Sequence, residues 1–422
     1  MSSLDLQNSQ RRALVTGGAH GIGWAICRDL AEQGYLIALA DIDAKVAAAR
    51  VAALGEGHHA IAVDLLNADD AAGLPERAAT LMGGLDVIVN NAGMTDTAGK
   101  PLIDLPDAAF QRLVALNLTA VTEICTASPK VLKPGSAIIN LSSGAAFRPL
   151  ALRGPYSATK AGVTALTKYT AQDFAPLGIA VTAIAPGYTL TPLVQDLARE
   201  GRVDLEKVSA SIPMGRIARP EDIASVVGFC ASPKGAAFSG ETLGVDGGGI
   251  MGAPTQGTAP KAGTQSEGIV AVLGATETQK AHLPKGTVAL SSVEKISEVM
   301  ALAGVVDLAP VDHVSPAALL EHSRAVALAC VANAVRTEDF ALLYIAQAPE
   351  SAQAWAATEA RAMLARTLAL EWATAGLRVN ALSWHGDDPA ALFSIADFLN
   401  GPKARFVTGL TIGAGHQPDH MT

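Results

Sequence analysis

Thr16-Gly17-Gly18-Ala19-His20-Gly21-Ile22-Gly23 follows the apolar run ALV and opens the stretch WAICRDLAEQG. The apolar run reads as a buried strand and the stretch after it as a helix, so the glycines fall in a strand-to-helix turn. Glycines there let backbone approach a pyrophosphate, which then sits on the unpaired N–H groups and positive dipole end of the helix. Gly17, His20, Gly21, Ile22 and Gly23 are the candidate phosphate-side residues. Eighteen residues beyond Gly23 the next apolar run, LIALAD, ends at Asp41. A carboxylate in that place accepts hydrogen bonds from both ribose hydroxyls and repels a 2′-phosphate, and Ile42 beside it offers no positive charge. The pattern favours NAD over NADP, although Asp41 as a plain helix cap fits either. Asp64 and Leu65, closing AIAVD, are placed to meet the adenine; Asp64 as a cap for the next helix is the structural alternative.

Working outward, apolar runs keep alternating with helical patterns to about Gly249: LDVIVNNAG, SAIINLSS and IAVTAIAPG. This is the signature of βαβ units around a parallel sheet buried on both faces. Composition agrees: of 422 residues, 50% are hydrophobic, only 17% charged and 4% aromatic, so the core is built from Ala, Val, Leu and Ile. The formal net charge is −9 and both halves share the deficit, which excludes the basic excess that nucleic acid demands. MSSLDLQNSQRR has no apolar signal region, and no apolar run reaches the roughly 18 residues of a membrane span. Cys27, Cys125, Cys230 and Cys330 lie far apart, without metal-ligand spacing, and read as buried reduced thiols. No metal site and a cytoplasmic location are expected.

From Gly249 to Gly268 the text turns to GIMGAPTQGTAPKAGTQSEG, a linker with almost nothing to bury. Beyond it the alternation resumes with GIVAVLGA, TVALSS, GVVDLAP, FALLYIA and LRVNALSW. This is a worn internal repeat. ALTKYTAQDFAPLGIAVTAIA lies over MLARTLALEWATAGLRVNALS at an offset of 198, and FCASPKGAAFSGETLG over FLNGPKARFVTGLTIG at 169. The offset drops by 29 because the second copy lacks the segment matching roughly Tyr188 to Arg216. The expected organisation is a first domain over 1–249, a linker over 250–268 and a degenerate, truncated copy over 269–422.

Tyr156 and Lys160 stand in GPYSATKAG, four residues apart and so on one helix face. A phenol of pKa ~10 is a poor base at neutral pH, and an ammonium one turn away favours its phenolate. Ser143, just past the run SAIINLS, reaches the same cleft. A Tyr-x-x-x-Lys pair alone says little; with a strand-end serine and an upstream nucleotide turn it is specific.

Residues from about Arg11 to Gly249, more than half the chain, resemble the short-chain dehydrogenase/reductase family. The matches run in family order through TGGAHGIG, Asp64, Asn90-Asn91-Ala92-Gly93, Asn117 in LNLTAV, Ser143, YSATK, Pro186-Gly187 and the closing VDGG. The resemblance implies two Rossmann-like, doubly wound parallel-sheet domains, the second degenerate. It implies Tyr156 as general acid/base, Lys160 lowering the tyrosine's pKa and holding the nicotinamide ribose, Ser143 bonding the substrate oxygen, and Asn117 holding a water that links Lys160 to solvent. Asn91, Ala92 and Gly93 would border the cofactor; Pro186, Gly187, Thr189 and Thr191 would cover the nicotinamide. Thr182, where the family often has Asn, reads as structural.

Carrying the repeat back puts Tyr156 opposite Ala354, Lys160 opposite Thr358 and Pro186-Gly187 opposite Trp384-His385. The second half should therefore not transfer hydride. It keeps the apolar faces of the two long helices through which family members pair, so the expectation is a built-in partner subunit, with a homodimer of chains imitating the family's tetramer. The expected activity is NAD-dependent interconversion of a secondary alcohol and a ketone on a small molecule. A 3-oxoacyl-type NAD(P)H ketoreductase and a non-catalytic NAD sensor or scaffold are the alternatives; two different active sites are disfavoured by Ala354 and Thr358. Substrate identity is assigned to loops 94–100, 144–155 and 188–216. Arg148 and Arg153 are candidates for an acidic substrate group, with a surface role as the alternative. His385 with Asp387 and Asp388 reads as a helix start, and His416 and His420 as a tail.

Overall fold

The computed structural model describes residues 10–95, 101–148, 152–253, 263, 267–312, 314–333, 336–347 and 349–415. Parts of the 94–100 and 144–155 loops, most of the 250–268 linker, and His416 and His420 lie outside them. The N-terminal half runs β1 (Arg12–Thr16), α1 (Gly21–Glu32), β2 (Leu36–Asp41), α2 (Ala44–Leu54), β3 (His59–Ala62), α3 (Ala68–Met82), β4 (Val87–Asn90), α4 (Asp107–Val114), α5 (Ala120–Ala127), β5 (Ala137–Leu141), α6 (Gly154–Phe174), β6 (Ala180–Pro186), α7 (Pro192–Arg199), α8 (Leu205–Ala210), α9 (Pro220–Ala231) and β7 (Thr242–Val245). Its strands order β3-β2-β1-β4-β5-β6-β7, a doubly wound sheet reversing between β1 and β4. The pairings among β1 to β6 are parallel. Strands β4, β5 and β6 are buried along their whole length, as continuous Val/Ile/Ala runs require when helices cover both faces.

The C-terminal half runs β8 (Ile269–Leu273), α10 (Glu277–Lys280), β9 (Thr287–Leu290), β10 (Leu302–Asp307), α11 (Pro316–Ala332), β11 (Arg336–Gln347), α12 (Ala352–Trp372), β12 (Arg378–Trp384), α13 (Pro389–Asn400) and β13 (Thr411–Ala414). Its parallel sheet orders β13-β12-β11-β10-β8-β9. Among the described residues it has no counterpart of β3, its first crossover helix is the four residues of α10, and β12 passes to α13 without counterparts of α7 and α8. A minimal first βαβ unit forms, β8 pairing with β9.

The repeat is written in hydrogen bonds. Thr182 Oγ1 donates to the Phe238 carbonyl at 3.2 Å, and Asn380 Nδ2 to the Val407 carbonyl at 3.2 Å. The Val181 N–H reaches Ser239 Oγ and the Val379 N–H reaches Thr408 Oγ1, both at 3.1 Å. Gly240 donates to Val181 and Gly409 to Val379, each at 2.8 Å. Every pair obeys the offsets of 198 and 169, and Thr182 has the structural role expected of it.

The chain divides into two compact units at places the sequence did not indicate. One comprises Met1–Glu200 with Arg219–Thr242, the other Gly201–Ala218 with Leu243–Thr422. Residues 201–218, expected within the first domain, group with the C-terminal half. No described helix is long and apolar enough to cross a membrane, and all four cysteines are buried and free.

The cores under the two sheets differ in chemistry. Beneath β4 and β5, Asn90 Nδ2 donates to Asn140 Oδ1 at 2.8 Å and Asn140 Nδ2 to Thr167 Oγ1 at 2.9 Å, a neutral network. At the matching register, where Asp307 pairs with Tyr344 as Asn90 pairs with Asn140, the second unit holds charges. Asp307, fully buried, is 3.1 Å from His322 Nε2 and 3.8 Å from Arg361 Nη1. Removing one partner from such a buried cluster costs about 3–5 kcal/mol, because the other charge is stranded. The hydrogen bond that His322 donates to Asp307 raises the histidine pKa from its usual 6.5, against partial burial, which lowers it. A raised folded-state value means the pair stabilises fully below the unfolded pKa and loses that contribution as pH climbs through the folded one. Urea unfolding followed by fluorescence of Trp355, Trp372 and Trp384 should therefore become easier from pH ~6.5 to ~8. His322→Gln should flatten that slope; a His322→Gln slope equal to the wild type's rejects the assignment.

Candidate active site

The glycine-rich turn is held by a hydroxyl and an amide. Thr16 Oγ1 accepts the N–H groups of Asn91 and Ala92 at 3.0 Å each. Asn91 Nδ2 donates to the carbonyls of Thr16 (2.9 Å) and Gly17 (3.0 Å). This stitching brings β1 and β4 together where the strand order reverses, the crevice in which open α/β sheets bind ligands. Gly17 has φ +61°, and a Cβ there would lie 2.9 Å from the Ala92 backbone. A Cβ on Gly23 would strike the Gly17 carbonyl. Helix α1 starts after His20, whose exposed side chain makes no cap. A cradle that only glycine can line, ending on an uncapped helix N-terminus, fits a dinucleotide phosphate.

Asp41 closes β2 and accepts the N–H of Ala19 and of Asp43 at 3.0 Å each, one per carboxylate oxygen. Ile42 is 70% exposed and brings no charge to the site. Arg50, missed in the sequence because it lies on α2, does: its Nε donates to the Ala19 carbonyl at 3.1 Å, and its guanidinium lies 4.6 Å from the Trp24 ring centroid. Asp64 is exposed and accepts the Leu66 N–H, while Asn67 caps α3. The side chain of Leu65 belongs to the apolar core, so Leu65 presents only backbone to a ligand.

The catalytic candidates converge. Leu141 ends β5, and its carbonyl takes a 2.7 Å hydrogen bond from Lys160 Nζ. Ser142 Oγ returns one to the Lys160 carbonyl at 3.0 Å, pinning α6 to the strand end. Lys160 is buried, which lowers its pKa to about 8. Its Nζ is 6.0 Å from the centroid of the Tyr156 ring one turn up the helix. Burial raises the Tyr156 pKa; a hydrogen bond from Ser143 and the charge of Arg153 pull it back. Arg153 Nη1 donates to Thr95 Oγ1 at 2.6 Å, so it belongs to the site's wall. Asn117, wholly buried in a π turn (residues 115–119), accepts the Met94 N–H and donates to the Met94 carbonyl, both at 2.8 Å. Its amide thus clamps the backbone that follows Gly93. A Cβ on Gly93 would meet Asn117 Oδ1 at 3.2 Å and Lys160 Nζ at 3.5 Å, so the three adjoin.

Beyond Pro186, Thr189 Oγ1 donates to the Gly187 carbonyl at 3.2 Å, and Thr191 caps α7 through the Val194 N–H at 3.4 Å. The Thr191 methyl lies where a Gly21 Cβ would touch it, at 3.3 Å, which brings the Pro-Gly turn to the glycine-rich turn. The C-terminal unit has no such assembly. Ala354 is buried, and the Thr358 hydroxyl is buried with no hydrogen bond among the described residues. Asp388 caps α13 through the Ala390 N–H, and His385 stacks on Trp355 with ring centroids 5.9 Å apart. No group of metal-binding side chains occurs among the described residues.

A family model described as Enoyl-(Acyl carrier protein) reductase matches residues 17–249. An uncharacterized short-chain type dehydrogenase/reductase, y4vI, of Sinorhizobium fredii is 38% identical over 242 residues, 56% of this chain and 43% of that protein. The chain thus aligns with under half of that relative's length. Cis-4-hydroxycyclohexanecarboxylate dehydrogenase of Sinomonas cyclohexanicum is 40% identical over 245 residues, 57% of this chain and 96% of its own. Among solved structures, 3-ketoacyl-(acyl-carrier-protein) reductase from Brucella melitensis complexed with NADH superposes with a TM-score of 0.52 at 29% identity, over 57% of this chain and 98% of that one. With the glycine cradle, the Ser143–Tyr156–Lys160 cluster and a matched segment of more than half its length, the chain belongs to the short-chain dehydrogenase/reductase family of oxidoreductases.

Proposed function

We propose that the N-terminal unit interconverts a secondary alcohol and a ketone with NAD, and that the C-terminal unit does not transfer hydride. The observation that carries the reading is the Tyr156 hydroxyl hydrogen-bonded to Ser143 with the buried Lys160 ammonium one helical turn away. The nicotinamide, when bound, supplies the hydride acceptor or donor. The chain's own residues handle the proton. Burial keeps the phenol protonated and ready to give its proton to a carbonyl oxygen. In the oxidising direction Lys160, Arg153 and the Ser143 hydroxyl favour the phenolate that takes the proton from the alcohol. Ser143 orients the substrate oxygen, and Asn117 holds the Met94 backbone that borders Lys160.

NAD rather than NADP is supported by Asp41 and by the absence of charge on Ile42. Arg50, on the Ala19 carbonyl, is the one group described here that would favour a 2′-phosphate, and it sets the contrast that the Asp41 variant measures. The Sinomonas relative's name points to a hydroxylated ring acid as a class to try. A second reading, reduction of a 3-oxoacyl group, is favoured by the Brucella relative and uses the same residues in the opposite direction.

NADH formation at mildly alkaline pH over cyclic hydroxy acids, polyols and other secondary alcohols tests the activity. Tyr156→Phe should lower kcat about 10²–10⁴-fold with NADH binding retained; comparable turnover by the variant would sink the assignment. Asp41→Asn keeps an acceptor for one amide and removes the charge. It should shift the NADH-over-NADPH preference roughly ten-fold or more toward NADPH, and an unchanged ratio of affinities would remove Asp41 from cofactor choice.

The proposal extends to assembly. The long helices α11 and α12 leave Leu328, Trp355 and Met363 exposed by 54%, 42% and 57%, on the elements through which family members pair. Sedimentation at micromolar concentration should give two chains per particle, a tetramer's worth of sheets, and a monomer throughout would rule it out.

A further inference from the structure

Of the two arginines between Ser143 and Tyr156, Arg148 is exposed and Arg153 is half-buried. Arg153 enters the cleft wall against three local preferences. Leu152, the residue before it, holds φ +64°; among the described residues other than glycine, only Ala301 also has a positive φ. That left-handed backbone crowds a Cβ and persists only where the surroundings impose it. Leu152 is also 47% exposed, so the turn gives a leucine to water and draws an arginine inward, the reverse of ordinary burial. Arg153 is, third, the N-cap of α6, the positive end of a helix, where a cation is disfavoured. Its side chain makes no capping hydrogen bond, and no acidic residue stands in the first turn of α6. Capping and apolar packing therefore do not account for an arginine at this place, and local rules broken together mark a functional site.

The guanidinium stands beside the reacting groups. Its Nη1 donates to Thr95 Oγ1 at 2.6 Å, and Thr95 lies two residues beyond Gly93, where a Cβ would come within 3.5 Å of Lys160 Nζ. The charge of Arg153 is felt at the Tyr156 hydroxyl, whose pKa it pulls down. Guanidinium and helix end are both positive, and the planar fork of an arginine matches the two oxygens of a carboxylate. We propose that Arg153 receives the carboxylate of the substrate, so that the class taken is a hydroxy acid, or the matching oxo acid in the reducing direction. This rests on the proposed oxidoreductase reading and gives it a substrate class; every residue it uses lies in the N-terminal unit.

The test uses the full chain and substrate pairs that differ by one charge, hydroxycyclohexanecarboxylates against the matching carboxamides. The wild type should prefer the acids in kcat/KM. Arg153→Gln should raise KM for the acids roughly 10- to 100-fold, as loss of hydrogen bonds to a charged group does, and abolish the preference over the carboxamides. Arg153→Lys should restore part of that preference. Equal losses on acid and carboxamide overturn the proposal, because an effect of Arg153 on the phenol or on folding falls on both alike. An unchanged acid KM in Arg153→Gln overturns it as well. If the wild type turns over neither member of a pair, the activity reading fails and binding decides the rest. Calorimetric titration with NADH present should then show cyclohexanecarboxylate bound more tightly than cyclohexanecarboxamide by the wild type and not by Arg153→Gln. Equal affinities for the two in the wild type would remove Arg153 as the group that receives an acid.

Discussion

A buried ammonium is the constraint around which the N-terminal site is organised. Lys160 lies 5% exposed inside an apolar sandwich and can remain charged near neutral pH because the Leu141 carbonyl stands 2.7 Å from Nζ. That one hydrogen bond fixes the height of α6 against the end of β5. Once α6 is fixed, Tyr156 is fixed one turn above, and Ser143, two residues past Leu141, comes to the phenol's side. A Cβ on Gly93 would press on the Asn117 carboxamide at 3.2 Å and reach contact with Nζ at 3.5 Å, so the three pack closely. The residue beside the phenol thereby also borders the backbone that follows β4.

The C-terminal unit shows what happens to the same frame when that constraint is lifted. Thr358 replaces Lys160, and its hydroxyl makes no hydrogen bond among the described residues. The elements matching the N-terminal cofactor side are smaller: among the described residues there is no third strand, the first crossover helix has four residues, and β12 runs directly to α13. The far side does not change. Thr182 and Asn380, Ser239 and Thr408, Gly240 and Gly409 make equivalent bonds, because those bonds close the sheet edge whether or not anything binds at the other end.

Most of this was legible in the sequence where chemistry and periodicity coincide. The turn from Thr16 to Gly23, the Tyr156–Lys160 spacing and the strand-end Ser143 needed only local rules, and the structure brings them together. The repeat offsets located a second parallel sheet before any strand pairing was known. What escaped was non-local. Arg50 reaches Ala19 from the next helix, Arg153 reaches Thr95 across the cleft, and Asn117 spends its amide on Met94. Nothing around Arg50 marks it, and nothing around Arg153 or Asn117, both singled out in the sequence, names those partners. The division into compact units differs from the sequence reading for the same reason: residues 201–218 look like an insertion in the first copy, and only their contacts group them with the C-terminal half.

The two cores also explain why charge could move but not accumulate. Each long helix on this face carries one buried cation: Lys160 on α6, and on α12 Arg361, opposite Val163 and one turn below Thr358. Lys160 is met by a backbone carbonyl over a neutral Asn90–Asn140–Thr167 network, Arg361 by the carboxylate of Asp307. Both cations on one helix would sit a single turn apart in a low-dielectric interior, a repulsion of several kcal/mol. With Thr358 in the place of a lysine, Arg361 meets no second cation on its own helix, and Asp307 is answered by Arg361 and His322. The Asp307–His322–Arg361 cluster ties α11 and α12 to the second sheet, as the Lys160–Leu141 bond ties α6 to the first.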